Sequence, residues 1–440
     1  MNLKYIRLNP YQLLVLVFLF FIILGTSLLK LPFSTTSSVS WVDALFTTTS
    51  AMTVTGLAVV DTGTAYTIFG QIVIVLLIQV GGLGIMSFAV LILIMLGKKI
   101  GFKERLIVQQ ALNATSIGGV IKLVKHLFIY SFTIEILAML LLSIKWVPEY
   151  GWAKGMYYSF FHSISAFNNA GFSIWSDNLM KYVGDPLVNL VISFLFILGG
   201  IGFTVLIDIW HKRNFKNLSL HSKLMIVGTL VINLFAMIIV FFLEYGNPNT
   251  LGSLSSQGDK LWSAYFQAVT TRTAGFNTLD IGSLHEGTIT LMLLLMFVGA
   301  GSASTGGGIK LTTFIVIALS VLTFLRGKSH ITIANRSIKD NIIYRSLAVL
   351  TISIVFIFIS VFILNITESE PFLKLLFEVI SAFGTVGLSM GITADLSILG
   401  KLIIVLTMLF GKLGPLTLAF SIAKQEKEKI KYPSEDILTG

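Results

Sequence analysis

Four short segments of this 440-residue chain are variants of one pattern: AMTVTGL (51–57), AFNNAGF (166–172), TTRTAGF (270–276) and AFGTVGL (382–388). Their glycines, Gly56, Gly171, Gly275 and Gly387, recur at spacings of 115, 104 and 112 residues. Ten residues before each glycine stands an aromatic (Phe46, Phe161, Tyr265, Phe377), and one residue after it a large apolar side chain (Leu57, Phe172, Phe276, Leu388). One apolar–glycine match carries no information. Four in register require a chain built from four copies of one unit.

Each copy has the same surroundings. A long apolar run precedes the segment (about 11–31, 120–144, 222–245 and 343–366), and a half-length run leads into it (about 41–51, 156–167, 260–271 and 372–383). A second long run follows (about 68–96, 185–210, 288–325 and 398–423). The long runs reach the roughly 20 apolar residues needed to cross a bilayer, and the half-length runs do not. A short run between two spanning helices must enter and leave on one side, as a re-entrant pore helix and loop. Only 12% of the residues are charged and the mean hydropathy is +0.88, against roughly 25% charged in a soluble domain. The chain is therefore read as an all-α integral membrane protein, which excludes a soluble enzyme, a disulfide scaffold and a disordered tail. Two crossings per copy leave all four copies pointing the same way, so they are expected to close into a pseudo-fourfold ring. The expected units, each a first helix (M1), pore helix and second helix (M2), are 1–97, 98–212, 213–328 and 329–424, followed by a tail, 425–440.

The net charge of +10 is distributed by topology. Basic residues cluster at Lys4 and Arg7, along 98–125, and at Lys212, Arg213, Lys216 and Lys223. Further clusters are Arg326, Lys328, Arg336, Lys339 and Arg345, then Lys424, Lys427, Lys429 and Lys431. The other connections carry Asp43, Asp61, Glu149, Asp177, Asp259, Asp280, Glu368 and Asp395. Positive connections stay cytoplasmic, which places both termini inside, puts the half-length runs outside and removes nucleic acid as a partner. The first apolar run has no small-residue cleavage pattern and is expected to be a retained helix. Cysteine is absent, the six histidines are scattered without an HExxH spacing, and no GxxxxGK[ST] occurs, so thiolate, zinc-hydrolase and ATPase chemistry have no basis.

Glycine permits positive φ and close approach of neighbouring backbone. Four such loops meeting on an axis would aim carbonyl oxygens inward from Val54-Thr55-Gly56, Asn169-Ala170-Gly171, Thr273-Ala274-Gly275 and Thr385-Val386-Gly387. A ring of neutral carbonyls replaces the hydration shell of a monovalent cation, and the C-terminal ends of the pore helices add negative potential. No acidic ring accompanies these segments, which argues against a divalent-cation filter.

These segments, with GAGSASTGGGIK (299–310), resemble bacterial Ktr-type potassium-transport membrane subunits, of the superfamily shared with Trk and plant HKT transporters, over nearly the whole chain. The resemblance implies a bacterial plasma-membrane protein with a K⁺ filter at the four glycines and no organic cofactor. It also implies a homodimer with one pore per subunit and a cytosolic ring of nucleotide-binding RCK (regulator of K⁺ conductance) subunits. Na⁺ is a candidate activator or co-ion. A serine in the first segment marks sodium-preferring plant relatives, so Gly56 points to K⁺. One glycine per loop, where K⁺ channels have two, implies weaker selectivity.

The run 288–325 is interrupted by GAGSASTGGG, with Gly299, Gly301, Gly306, Gly307 and Gly308 beside Ser302, Ser304 and Thr305. Each glycine costs a helix interior roughly 1 kcal/mol, so the run should unwind here into a loop across the permeation path. The alternative is a small-residue packing face. In the Ktr and Trk family the matching segment is an intramembrane gating loop. The glycines of QVGGLGI (79–85), LGGIGFT (198–204) and FGKLGPL (410–416) read as helix packing, with a kink at Pro415.

Charges inside spanning runs are functional candidates. Lys310 either acts at the loop, snorkels or caps the broken helix. Lys412 is expected to face the pore; family members carry a basic residue there, commonly arginine. Arg272 is expected behind the third loop, with Glu378 as its counter-ion, and Glu135 is expected to pair internally. Asp208 is placed at the cytoplasmic mouth. The leading function is a K⁺ uptake pore. Its rivals are a secondary cation carrier with alternating access and an intramembrane enzyme, for which His162 is the only histidine beside a filter segment.

Overall fold

The computed structural model describes residues 9–96, 101, 120–333, 336–422, 433 and 435. The basic stretches at Lys4 and Arg7, at 98–119 and in the tail, 425–440, lie outside these residues, except for positions 101, 433 and 435.

Four long outer helices, Pro10–Leu29, Val120–Tyr150, Leu220–Glu244 and Asp340–Thr367, are apolar enough to cross a membrane. Exposed Leu, Ile and Phe side chains cover their outward faces, among them Phe20, Ile136, Leu230 and Phe358. In water such a surface would be costly; in lipid it is matched. Each outer helix leads to a shorter pore helix: Trp41–Thr53, Trp152–Phe167, Gln257–Thr270 and Phe372–Gly384. Ser40 and Ser256 cap two of these, accepting from Asp43 N and Gly258 N. The C-terminal half of every pore helix is buried, which is where the four repeated segments begin.

The second runs are interrupted in every copy, where a break was expected only at 299–308 and a kink only at Pro415. Three are split at one glycine each, into Ile68–Leu83 and Ile85–Met95, Pro186–Ile201 and Phe203–Lys212, and Ile398–Leu413 and Pro415–Ile422. The last two pairs bend by 94° and 97°. The hinge residues Gly84, Gly202 and Gly414 have φ of 87°, 105° and 84°, a region that residues with a Cβ rarely enter. Packing explains a different glycine of each cluster. A Cβ on Gly81, Gly199 or Gly411 would collide with the carbonyl of Met52, Phe167 or Phe383 at the end of a pore helix. The fourth run breaks over a longer stretch, between Glu286–Phe297 and Leu311–Leu325. Two short antiparallel strands, Thr332–Ile333 with Arg336–Ser337, form the one sheet among the described residues, beside isolated bridges at Thr35–Tyr66 and Val298–Ile309.

Neighbouring sets interlock in sequence order. Tyr157 of the second pore helix donates to Gln71 of the first inner helix (2.8 Å), and Tyr265 of the third donates to Ser193 of the second (3.1 Å). Phe377 of the fourth packs with Met296 before the third break. The ring closes where Lys401 of the fourth inner helix meets Asp43 of the first pore helix at 2.9 Å. Burial opposes ionisation of Asp43, but hydrogen bonding from Ser40 and the Lys401 ammonium outweigh it and hold the carboxyl below its ordinary range.

Candidate ion-conduction site

Each pore helix ends three to five residues before a ring glycine, and the exit is the same in three of the four copies. The amides of Val54, Asn169 and Thr385 bond back to the carbonyls of Ala51, Ala166 and Ala382 at 3.0–3.1 Å. Those of Thr55, Ala170 and Val386 reach Ser50, Ser165 and Ser381 at 2.8–2.9 Å. The third copy uses a tighter turn, Ala274 N to Thr270 O at 3.1 Å.

All four copies then share an alternating backbone. Val54, Asn169, Thr273 and Thr385 are left-handed, with φ of 51°, 57°, 65° and 49°. Gly56, Gly171, Gly275 and Gly387 have φ of 93°, 67°, 76° and 90°. The residue between them is not left-handed. In a strand successive carbonyls point to opposite sides; alternating the hand of φ brings them to one side. β-branched Val54, Thr273 and Thr385 in the left-handed region are strained, by roughly 1–3 kcal/mol each.

The glycines touch one another in cyclic order. A Cβ on Gly56 would lie 2.5 Å from the carbonyl oxygen of Ala170, and one on Gly171 would lie 2.8 Å from Cα of Gly275. A Cβ on Gly275 would collide with the Val386 carbonyl, and one on Gly387 would lie 3.0 Å from Cα of Gly56. The four segments thus form a closed ring, in which each glycine faces the backbone of the next. Among the described residues, no donor takes the backbone oxygen of any residue in the four triplets. Eight of these residues, from Val54 to Val386, are fully buried. Buried carbonyls are normally paired; these are left without a donor in a closed ring.

Hydroxyls lock the ring from behind. Gly56 N donates to Ser50 Oγ (3.0 Å) and Gly387 N to Ser381 Oγ (3.1 Å), while Ser165 and Thr270 donate to the carbonyls of Phe172 (2.7 Å) and Phe276 (2.5 Å). Sequence reasoning missed these residues. The signal was available: serine stands six residues before the glycine in three segments, with Thr270 displaced by one.

Directly against this ring lies the non-helical stretch from Val298 to Lys310. A Cβ on Gly306 would press on Thr273, and one on Gly307 would lie 2.6 Å from Thr385. Gly307 N donates to Thr385 Oγ1 (2.8 Å), and Thr305 Oγ1 donates to Asn169 Oδ1 (2.8 Å). The Asn169 amide in turn donates to Thr273 Oγ1 (3.2 Å). Left-handed residues of three segments therefore hold the loop with their side chains. The loop also bonds to the neighbouring hinges: Gly301 N to Gly200 O (2.8 Å), Phe203 N to Ala303 O (2.8 Å) and Gly308 N to Gly411 O (3.2 Å). A packing face of one helix against another does not describe it; it is extended backbone strung between three inner helices.

Both intramembrane lysines turn to this loop. Lys310 Nζ donates to Gly306 O (2.6 Å), and Lys412 Nζ donates to the adjacent carbonyl, Thr305 O. Lys310 is the N-cap residue of the helix that follows, but its side chain makes no cap bond and turns to the loop instead, and Lys412 is likewise engaged with the loop. Ser302 contacts Thr312 (3.2 Å), and Ser304 donates to Gly301 O (2.6 Å).

Arg272 is buried behind the third segment, as expected, but Glu378 is not its partner. Its Nη2 donates to Gly299 O at 3.4 Å, where the loop begins. Glu378 instead accepts from Ser389 (2.8 Å) and Thr393 (2.5 Å) on its own repeat. Glu135 accepts from Gln79 at 3.0 Å and Asn168 at 3.2 Å, an internal pairing. His162 contacts Tyr158 O and Ser173 Oγ. Asp208 accepts from Lys212, Ser219 N and Ser222.

The TrkH family model, described as a cation transport protein, matches residues 8–432. The chain is 61% identical to the Ktr system potassium uptake protein B of Bacillus subtilis, across 99% of this chain and 98% of that one. It is 36% identical to the potassium/sodium uptake protein NtpJ of Enterococcus hirae, across 99% and 98%. The crystal structure of the potassium transporter TrkH from Vibrio parahaemolyticus shares the fold, with a TM-score of 0.74 at 20% identity over 96% of this chain and 87% of that one. The chain belongs to the TrkH family of cation transport proteins, and is a transporter rather than an enzyme.

Proposed function

We propose that the chain is the K⁺-translocating membrane subunit of a bacterial uptake system, with the glycine ring as its filter. The single observation that carries this reading is the set of buried, unclaimed carbonyls on four left-handed turns closed into one ring. Neutral oxygens in that arrangement suit a large, weakly hydrated monovalent cation. The names of the Bacillus and Enterococcus relatives agree with K⁺, and the latter adds Na⁺ as a second ion or activator. The four helix sets serve as repeats of one unit, each supplying a quarter of the filter. The Gly299–Lys310 loop serves as the gate. It lies against the ring, and beside its backbone bonds to the inner helices its anchors are single hydrogen bonds, donated to Asn169 and Thr385 and accepted from Lys310, Lys412 and Arg272, that can be released one by one.

Inward flux is driven by the membrane potential, roughly 2.3 kcal/mol per charge per 100 mV. The chain has no nucleotide-binding motif, so control falls to cytosolic RCK subunits docked on the basic face of a homodimer, with both termini inside. The test is K⁺ uptake by potassium-transport-deficient cells expressing this chain, with and without an RCK partner. Restored growth at low K⁺ supports the reading, and flux that saturates at carrier-like turnover with obligatory counter-movement favours the alternating-access carrier instead.

A further inference from the structure

At the end of the molecule that carries Lys212, Arg326 and Lys328, a cavity of about 400 Å³ opens between two helices of the second set and one of the third. Lys122 and His126 line it from the second outer helix, Thr204 and His211 from the helix after the Gly202 hinge, and His221 from the start of the third outer helix. It is remote from the glycine ring, and none of these side chains holds the loop. The two central histidines are already oriented. His126 Nδ1 meets Lys122 O at 2.7 Å, His211 Nδ1 meets Ile207 O at 2.9 Å, and the rings lie 6.0 Å apart. Both Nδ1 atoms are thereby committed to backbone, which leaves both Nε2 atoms available to a ligand.

The one acid in the lining, Asp208, is satisfied from within. One oxygen pairs with Lys212 at 2.8 Å; the other accepts from Ser219 N (2.8 Å) and Ser222 Oγ (2.7 Å). Lys122, in contrast, is exposed and donates to no acceptor among the described residues. The uncompensated charge of the cavity is positive at Lys122, and with Nδ1–H given to backbone each neutral imidazole presents Nε2 as an acceptor, which suits a headgroup that joins an anionic phosphate to hydroxyl donors.

What surrounds the cavity selects the kind of phosphate. Trp210 is exposed and its ring lies 5.7 Å from Tyr130, a pair of the sort that marks a membrane–water interface. One turn further into the bilayer the same helices expose mainly apolar side chains, Ile129 and Phe132 on one side, with Thr133 beside them, and Val227, Leu230 and Val231 on the other. A ligand with its phosphate in the cavity would therefore have its remaining atoms against a greasy furrow. Basic pockets between spanning helices at this depth accept anionic headgroups. We propose that this cavity is a binding site for the headgroup of an anionic phospholipid, with acyl chains running between the second and third outer helices.

The test uses the full chain purified in neutral detergent and titrated with phosphatidylglycerol or phosphatidylcholine, with bound lipid counted by native mass spectrometry. Phosphatidylglycerol should saturate at one tight site per chain. Near a membrane surface one cationic group is worth about 1 kcal/mol, so removing the Lys122 charge together with the two imidazoles (Lys122→Gln with His126→Gln and His211→Gln) should weaken that site by about fivefold or more. Arg326→Gln with Lys328→Gln, on the same face, should leave it unchanged. If the triple variant is poorly folded, the single exposed change His211→Glu, which adds a negative charge at the cavity wall, is read in its place and should also weaken binding. Equal binding of the two lipids, or a full-strength site in the charge-altered protein, would overturn the proposal. So would displacement of phosphatidylglycerol by equimolar inorganic phosphate or glycerol 3-phosphate, which would make the ligand a soluble anion.

Discussion

Replacing Gly56 with serine sets two separable penalties against each other. The first is conformational: at φ 93° a residue with a Cβ is strained by about 1–2 kcal/mol. The second is steric, because the new Cβ would stand 2.5 Å from the Ala170 carbonyl oxygen and the ring must widen there. Gly391 separates them. Its φ is 89°, yet nothing lies within 4 Å of a Cβ added to it. Gly391→Ser therefore carries the backbone penalty alone and should lower thermal stability without touching transport. Gly56→Ser should carry both. If only 1–2 kcal/mol of the steric cost falls on the ion-bound state, apparent K⁺ affinity drops by about 5- to 30-fold, or K⁺/Na⁺ discrimination relaxes by a similar factor. The assay is initial-rate ⁸⁶Rb⁺ or K⁺ uptake against concentration, with Na⁺ as competitor, normalised to folded protein. Gly171→Ser, Gly275→Ser and Gly387→Ser should behave like Gly56→Ser. Unchanged affinity and selectivity in all four, or an equal loss in Gly391→Ser, would refute the ring as the filter.

Three further outcomes follow from the same contacts. Replacing Gly306, Gly307 and Gly308 with alanine drives methyl groups into Thr273, Thr385 and the Gly384 backbone, so the loop should be displaced and flux per molecule should rise with selectivity kept; wild-type flux and regulation would reduce the loop to packing. Lys412→Gln removes a charged donor to Thr305 O, a bond of a class worth about 1.5–3 kcal/mol; the loop should open more readily and flux should rise by roughly tenfold, while Lys412→Arg should keep it closed. A Lys412→Gln protein with normal flux per folded molecule but poor yield would make the lysine a scaffold residue. Asp43→Asn breaks the tie from the first pore helix to Lys401 and should lower stability at neutral pH by on the order of 1 kcal/mol. Because the Asp43 carboxyl is held below its ordinary value of 3.8, that contribution is complete above about pH 4 and fades only as pH falls through the lowered folded value; a melting-temperature difference between wild type and variant that persists undiminished in strong acid would contradict it.

The sequence pattern carried the architecture a long way, and its failures have definite causes. The expected half-length run 372–383 is the helix Phe372–Gly384, and the first helices end within a few residues of expectation. Period and length decide such elements, and both are written locally. The kink expected at Pro415 falls at the Gly414 hinge, but the hinges at Gly84 and Gly202 were not legible, because three closely spaced glycines offer both close packing and positive φ, and only neighbouring backbone decides which glycine does which. Gly411 packs on Phe383 while Gly414 turns the chain. Pairing was the least legible level. Glu378 was a reasonable anion for Arg272 on charge alone, but hydroxyls on the same repeat reach the carboxylate first. Arg272 meets a carbonyl freed by a helix break. Lys412 shows the same physics: an unwound loop exposes acceptors that composition does not count.

The central claim is that the carbonyls of Thr55, Ala170, Ala274 and Val386, with those of their neighbours, hold a monovalent cation on one axis. Anomalous diffraction from crystals grown in Rb⁺ or Tl⁺ tests it without passing through a transport assay. The account predicts an anomalous peak on the axis of Gly56, Gly171, Gly275 and Gly387, within coordinating distance of backbone oxygens from all four segments, and weakened by exchange into Na⁺. A ring with no peak at saturating Rb⁺, or a peak bound instead by side chains away from the axis, would contradict it.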